Sequence, residues 1–312
     1  MQLIRGLQNS KLPLTRGCVA TIGNYDGMHL GHRMVIDALN DTAHSINLPS
    51  LVIIFEPQTN EYFSRIASQR LTSLREKLCL LEQWGVNIVL LLRFNRLLSS
   101  VSAEEFVRTV LVDRLHIAHL IIGDDFTLGY DKKGDFTALR RIADEHNFSL
   151  TRLESFKLDG VRISSSLLRL ETGAKNDITE VVKFLGRSYT IIGRVVHGKH
   201  FGRTLGFPTA NIHLGSRRLP FSGVYLVRVM GLADELYGIA NLGVRPTFNT
   251  EANQSLEVYL LDFNEDIYGK TLKIEFLRKI REEKKFISSE VLKQQISKDL
   301  VTAKALLRRF YV

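Results

Sequence analysis

The stretch Val19-Ala20-Thr21-Ile22-Gly23-Asn24-Tyr25-Asp26-Gly27-Met28-His29-Leu30-Gly31-His32 joins a short apolar run to a glycine-bounded turn and an H-x-G-H element. The run, ended by Gly23, predicts a buried strand. The turn leads into a helix, and His29 and His32, three residues apart, share a face on its first turn. Further buried strands are predicted at residues 51–55, 86–94 and 120–122. Amphipathic helical patterns lie between them. Ser73-Leu74-Arg75-Glu76 is a capping box, with Leu74, Leu78 and Leu81 at helical spacing; Ser102-Ala103-Glu104-Glu105 is another, ahead of Phe106 and Val110. Apolar strands alternating with such helices imply a Rossmann-like α/β domain, its parallel sheet covered on both faces. Ligands of such sheets bind beyond the carboxyl ends of the strands, where residues 23–32 fall.

That position suits phosphate chemistry. Gly31 removes a side chain where a phosphate approaches, and backbone N–H groups at a helix start favour an anion. The histidine pair, bordered by Gly23 and Asn24, then stabilises charge building on the α-phosphorus of a triphosphate. On spacing alone, two surface histidines in a loop is the ordinary reading; the strand before the motif and the helix it opens strengthen the functional one. Arg162-Ile163-Ser164-Ser165-Ser166-Leu167-Leu168-Arg169 offers hydroxyls and a guanidinium at another helix start. It suits β- and γ-phosphates, or a serine N-cap beside a surface arginine. Gly123-Asp124-Asp125-Phe126-Thr127-Leu128-Gly129-Tyr130 either lines a substrate site or only turns the chain.

After about Lys183 the texture changes. Residues 189–196, 223–229, 236–241, 256–262 and 271–277 are strand-like and separated by glycine-containing turns. They predict a small antiparallel β-barrel. Residues 289–310 read as one amphipathic helix with Val291, Ile296, Leu300, Ala303 and Leu307 near one face. The hinge is expected near 174–186, dividing a domain of 1–183 from one of 184–312.

In this half, Pro208-Thr209-Ala210-Asn211 sets a hydroxyl and an amide oxygen two residues apart, on one side of extended backbone. These are hard donors suited to Mg²⁺ carrying nucleotide phosphates. Gly198, Lys199, Gly202, Arg203 and Gly206 form a flexible basic loop able to close over phosphates. Glu257 faces away from Leu256, Val258 and Leu260. A solvated glutamate is the ordinary reading. A kinase acting on an alcohol, however, gains from a carboxylate base. A phosphomonoester nucleophile is largely anionic near neutral pH and needs none.

The composition, 45% hydrophobic and 24% charged, is that of an ordinary globular protein. No apolar run approaches the roughly 20 residues of a membrane span, and no secretory signal is visible, so a cytoplasmic location without a membrane partner is expected. Cys18 and Cys79 show no metal-ligand spacing and read as core or semi-buried thiols. Residues 1–183 hold 22 Lys and Arg against 21 Asp and Glu; residues 184–312 hold 20 against 12. The excess is expected to serve anionic nucleotides and a solvated final helix rather than nucleic acid.

The chain resembles the bacterial bifunctional riboflavin kinase/FMN adenylyltransferase (FAD synthetase) family over nearly its whole length. Residues 23–32 match its G-N-F-D-G-V-H-x-G-H motif, residues 163–169 its S/T-S-S/T-x-x-R segment, and residues 123–134 resemble its G-x-D-F-x-F-G element. Tyr25, Met28, Leu128 and Lys132 depart from those patterns, Lys132 standing where arginine is usual, and Thr59 replaces a proline common in the family after Phe55-Glu56-Pro57. The kinase module is matched at residues 193–211, 223–225, 238–248 and 257–269, with Tyr259 at a frequent histidine position. The resemblance implies that riboflavin is phosphorylated to FMN by Mg-ATP in the barrel. FMN is then adenylylated to FAD, with pyrophosphate released, in the α/β domain. It implies His29 and His32 as catalytic, Gly23, Asn24, Gly31, Ser164, Ser165, Arg169, Gly198, Lys199, Gly202, Thr209 and Asn211 as nucleotide-binding, and Thr209 and Asn211 as Mg²⁺ ligands. Glu257 is the implied base, with Asp124, Phe126 and Arg281 near flavin. A monomer or weak homo-oligomer is expected. Two alternatives stay open: a related nucleotidyltransferase for another phosphorylated metabolite, and a non-catalytic flavin- or RNA-binding regulator.

Overall fold

The structure, a computed structural model, describes all residues except 9–13, 15, 64–68, 131, 175–177, 199–200, 216, 246–252 and 311–312. They form two compact units: Met1–Ser68 with Lys77–Ser164, and Gln69–Glu76 with Ser165–Val312. The expected 183/184 division therefore does not coincide with this partition, since 69–76 and the helices Ser165–Ala174 and Ile178–Leu185 belong to the second unit.

In the first unit, β1 (Gln2–Arg5), β2 (Cys18–Ile22), β3 (Ser50–Glu56), β4 (Ile88–Arg93), β5 (Ile117–Gly123) and β6 (Ser149–Leu153) form one sheet in the order β1-β4-β3-β2-β5-β6. Every pairing in it is parallel. β2 is buried throughout, as is β3 except at its last residue, which is why their sequences are continuously apolar rather than alternating. The strand order reverses at β2, whose neighbours are β3 and β5. The loops following β2 and β5 therefore flank the crevice of a topological switch point.

β7 (Lys157–Leu158) and β8 (Val161–Arg162) make a short hairpin. In the second unit, β9 (Tyr189–Val196), β10 (Ala210–Ile212), β11 (Gly223–Met230), β12 (Leu236–Arg245), β13 (Asn253–Leu260) and β14 (Thr271–Arg281) close a barrel in the order β10-β13-β12-β11-β14-β9. The final helix is Ser289–Phe310. It buries Ala303 and Leu307 as expected, but Val291 is exposed and Asp299 is buried in its stripe.

Candidate functional site

In the first unit, His29 is not in the helix but caps it. Its backbone is extended, and its Nδ1 accepts from His32 N at 3.3 Å at the start of helix Leu30–Ser45. The two imidazoles stack, with centroids 3.7 Å apart. A Cβ at Gly31 would come within 3.1 Å of the His29 ring, so the glycine visibly serves ring placement. Tyr25 and Met28, both buried, hold left-handed backbone (φ 47° and 49°) in the turn before the cap. The Tyr25 hydroxyl shares a 2.8 Å hydrogen bond with Thr21, anchoring the turn.

Burial holds His29 down at about 4, against a partial upward pull from Asp26. His32 lies well below its ordinary value through burial, then His29 and the ammonium of Lys77. Both rings are thus neutral near pH 7. Because His29 accepts on Nδ1, its Nε2 carries the proton and donates. Lys77 is fully buried, and its Nζ donates to the Asn24 carbonyl. The Asn24 amide donates to Thr59 Oγ1 at 3.2 Å and Asn60 Oδ1 at 2.9 Å. Asn24 Oδ1, His32 Nδ1 and both amide atoms of Gln58 are buried without a protein partner. Such atoms cost about 1–3 kcal/mol each and call for a ligand or water.

The other predicted residues of this region are differently engaged. Asp124 accepts from Ser155 N at 3.1 Å and Ser155 Oγ at 2.7 Å, and pairs with Arg162 at 3.4 Å. The Ser155 hydroxyl is the main cause holding its carboxyl below the usual range. Phe126 packs against the sheet core. Ser164 ends the first unit; Ser165 opens helix Ser165–Ala174 in the second, where Arg169 Nε donates to Gln69 O at 2.8 Å.

In the second unit a cavity of about 440 Å³ is lined by Gly202, Thr209, Asn211, Glu257 and Arg281, among others. Glu257 lies directly opposite Asn211 across β10 and β13. Thr209 Oγ1 donates to Glu257 Oε2 at 3.4 Å. A Cβ at Gly198 would strike the Asn211 side chain at 2.3 Å, and one at Gly202 would meet Phe207 O at 2.4 Å and Thr209 Oγ1 at 3.2 Å. Gly198 and Gly202 therefore approach the oxygen donors closely, Gly202 from a helical turn, Phe201–Thr204, where the sequence predicted a flexible loop. Lys199 lies outside the described residues. Arg281 is fixed by Asp299, with both carboxylate oxygens 3.0 Å from its Nε, and stands 5.6 Å from the Phe286 ring. Thr209 and Asn211 offer hard oxygen donors fit for a cation that carries phosphate ligands, with the Glu257 carboxylate beside them.

Sequence reasoning missed Lys77, Asp299 and Asn241, the last also lining the cavity. Asp299 had a signal, an acid within the apolar spacing of the final helix. Lys77 had none, since lysine is ordinary on any helix surface.

Residues 11–167 match the FAD synthetase family and residues 185–307 the riboflavin kinase family. A bifunctional riboflavin kinase/FMN adenylyltransferase from Haemophilus influenzae is 45% identical over 307 residues, 98% of this chain and 99% of its own. The protein of the same name from Escherichia coli K12 is 43% identical over 306 residues, 97% of each chain. A Streptococcus pneumoniae crystal structure described as a macrolide-efflux protein has a TM-score of 0.83 at 28% identity, covering 97% of this chain and 99% of that one. Among the described residues of this chain, no helix is long and apolar enough to cross a membrane. With both modules matched in order and the likeness running end to end, the chain belongs to the bifunctional riboflavin kinase/FMN adenylyltransferase family.

Proposed function

We propose that this chain phosphorylates riboflavin to FMN and adenylylates FMN to FAD, each with ATP, at two separate sites. The carrying observation is the difference between the sites. A carboxylate stands beside Thr209 and Asn211 in the barrel cavity, whereas neutral stacked imidazoles sit at a helix start in the first unit. The alcohol of riboflavin requires a base, and Glu257 serves as one. Thr209 and Asn211 hold Mg²⁺, which when bound neutralises the transferring phosphate. Gly198, Lys199 and Gly202 belong to the loop over that nucleotide, and Arg281 borders the flavin. The phosphate of FMN is already a nucleophile, so His29 and His32 act by donating hydrogen bonds to charge building on the α-phosphate. Gly23, Asn24, Gly31 and Ser164 are nucleotide contacts of the first unit, where Asp124 and Phe126 border FMN, and Ser165 and Arg169 are assigned to nucleotide binding by the family resemblance. The adenylyltransferase module is assigned to 1–183 and the kinase to 184–312, in a cytoplasmic enzyme, monomeric or weakly self-associating, with no nucleic-acid or membrane partner. The test is a chromatographic time course with riboflavin, ATP and Mg²⁺: FMN rises first and FAD follows. FAD without transient FMN, or neither product, would overturn the reading.

A further inference from the structure

The barrel register carries one line of residues across five neighbouring strands. Asn211 faces Glu257, Glu257 faces Asn241, Asn241 faces Val224, and Val224 faces Arg281. All five line the same cavity. Directly opposed residues on antiparallel strands have Cβ atoms about 4.5–5.5 Å apart, so Glu257 is flanked by two amides within side-chain reach. The flanks are not equivalent. Thr209 reaches Glu257 from the Asn211 side, at 3.4 Å, and the glycine loop closes on that same side. On the proposed function this is the side of metal and phosphate donor.

Phosphoryl transfer is in line, so the attacking alcohol comes to Glu257 from the opposite flank. There the order is amide (Asn241), aliphatic (Val224), then a guanidinium tied to Asp299. Gly243, two residues along β12 on the same face, makes room for the Glu283 carboxylate, which also lines the cavity: a Cβ there would sit 2.3 Å from Glu283 Oε1 and 3.6 Å from Asn241 Nδ2. An amide both donates and accepts, which matches a secondary alcohol and not a bare alkyl chain. An apolar residue beside the base would suffice for a simple alcohol.

We propose that Asn241 is a specificity-determining residue of the kinase step, hydrogen-bonding the ribityl hydroxyl next to the one phosphorylated. This rests on the assignment of Glu257 as base. The test compares riboflavin with 4′-deoxyriboflavin as substrates of the full chain. The unaltered protein prefers riboflavin by about 10-fold or more in kcat/KM, and Asn241→Leu brings that ratio within about threefold. KM for ATP and adenylylation of added FMN stay within about twofold. A ratio unchanged in Asn241→Leu, or no preference in the unaltered protein, overturns the proposal. Asn241 is exposed to the cavity, so the substitution leaves the barrel core alone; if Asn241→Leu fails to fold, the same ratio in Asn241→Ala decides. Glu257→Gln separates the two readings. Phosphorylation surviving there sinks the base assignment and this inference together. Phosphorylation lost there, with the Asn241 ratio unmoved, sinks this inference alone.

Discussion

Glu257 and the His29–His32 pair answer different nucleophiles, and single substitutions separate them. Glu257→Gln keeps the shape and the bond from Thr209 but removes the base. FMN formation is expected to fall about 10²–10⁴-fold while added FMN is still converted to FAD. His32→Ala is expected to lower FAD formation about 10²–10³-fold while FMN accumulates. Product chromatography checks both, and either variant losing both activities while folded contradicts the two-site assignment. The histidines also make the first unit acid-sensitive. His29 is held at about 4 against 6.5 in the unfolded chain, so the unfolded chain binds more protons between those values. Stability contributed by the neutral ring is therefore complete above pH 6.5 and declines as pH falls towards 4, by on the order of 3 kcal/mol. Trp84, the one tryptophan, sits in this unit and reports it. Urea unfolding followed by its fluorescence should weaken from pH 7 to 5, and His29→Asn should flatten that slope.

Among elements, helix Leu74–Gln83 shows what was legible and what was not. Its capping box was readable from Ser73 and Glu76, and both reciprocal bonds form, at 2.7 and 3.2 Å. Hidden was that the unit boundary falls between Glu76 and Lys77. Successive helix residues point about 100° apart, so neighbours can serve different cores. Strands β2 and β3 were legible as continuous apolar runs, being buried on both faces, and β9 and the final helix because one-sided burial imposes a period. β1, β6 and β10 were not, being short or carrying no run long enough to show one. Lys77, the buried donor to Asn24, was invisible because only the fold brings residues 24 and 77 together. Lys77→Met leaves that carbonyl without its donor and loosens the turn bearing the histidines. FAD formation from FMN is expected to drop about tenfold, a cost near 1.4 kcal/mol within the range for an unmade buried hydrogen bond. Riboflavin phosphorylation, assayed in the same sample, should be unchanged.

At the scale of the whole molecule, the second unit is discontinuous in sequence, and this is what a linear reading could not find. Glu76, 2% exposed, accepts from Arg217 at 2.8 Å, Ile192 N at 2.7 Å and Ser73 N at 2.7 Å. The Tyr189 hydroxyl donates to Leu71 O. Residues 69–76 thus supply polar partners to the barrel from more than a hundred residues upstream. Removing one partner of a buried ion pair costs about 3–5 kcal/mol, because the remaining charge stays buried and uncompensated. Arg217→Met in the full chain should destabilise the second unit by about that much. In a fragment of residues 184–312, Glu76 is absent, so the arginine is already unpaired. There the same substitution should be neutral or stabilising, although the fragment itself melts below the unit in the intact chain. Calorimetry of the four species closes this cycle. Equal effects of Arg217→Met in chain and fragment would show that its pairing with Glu76 adds nothing to the barrel.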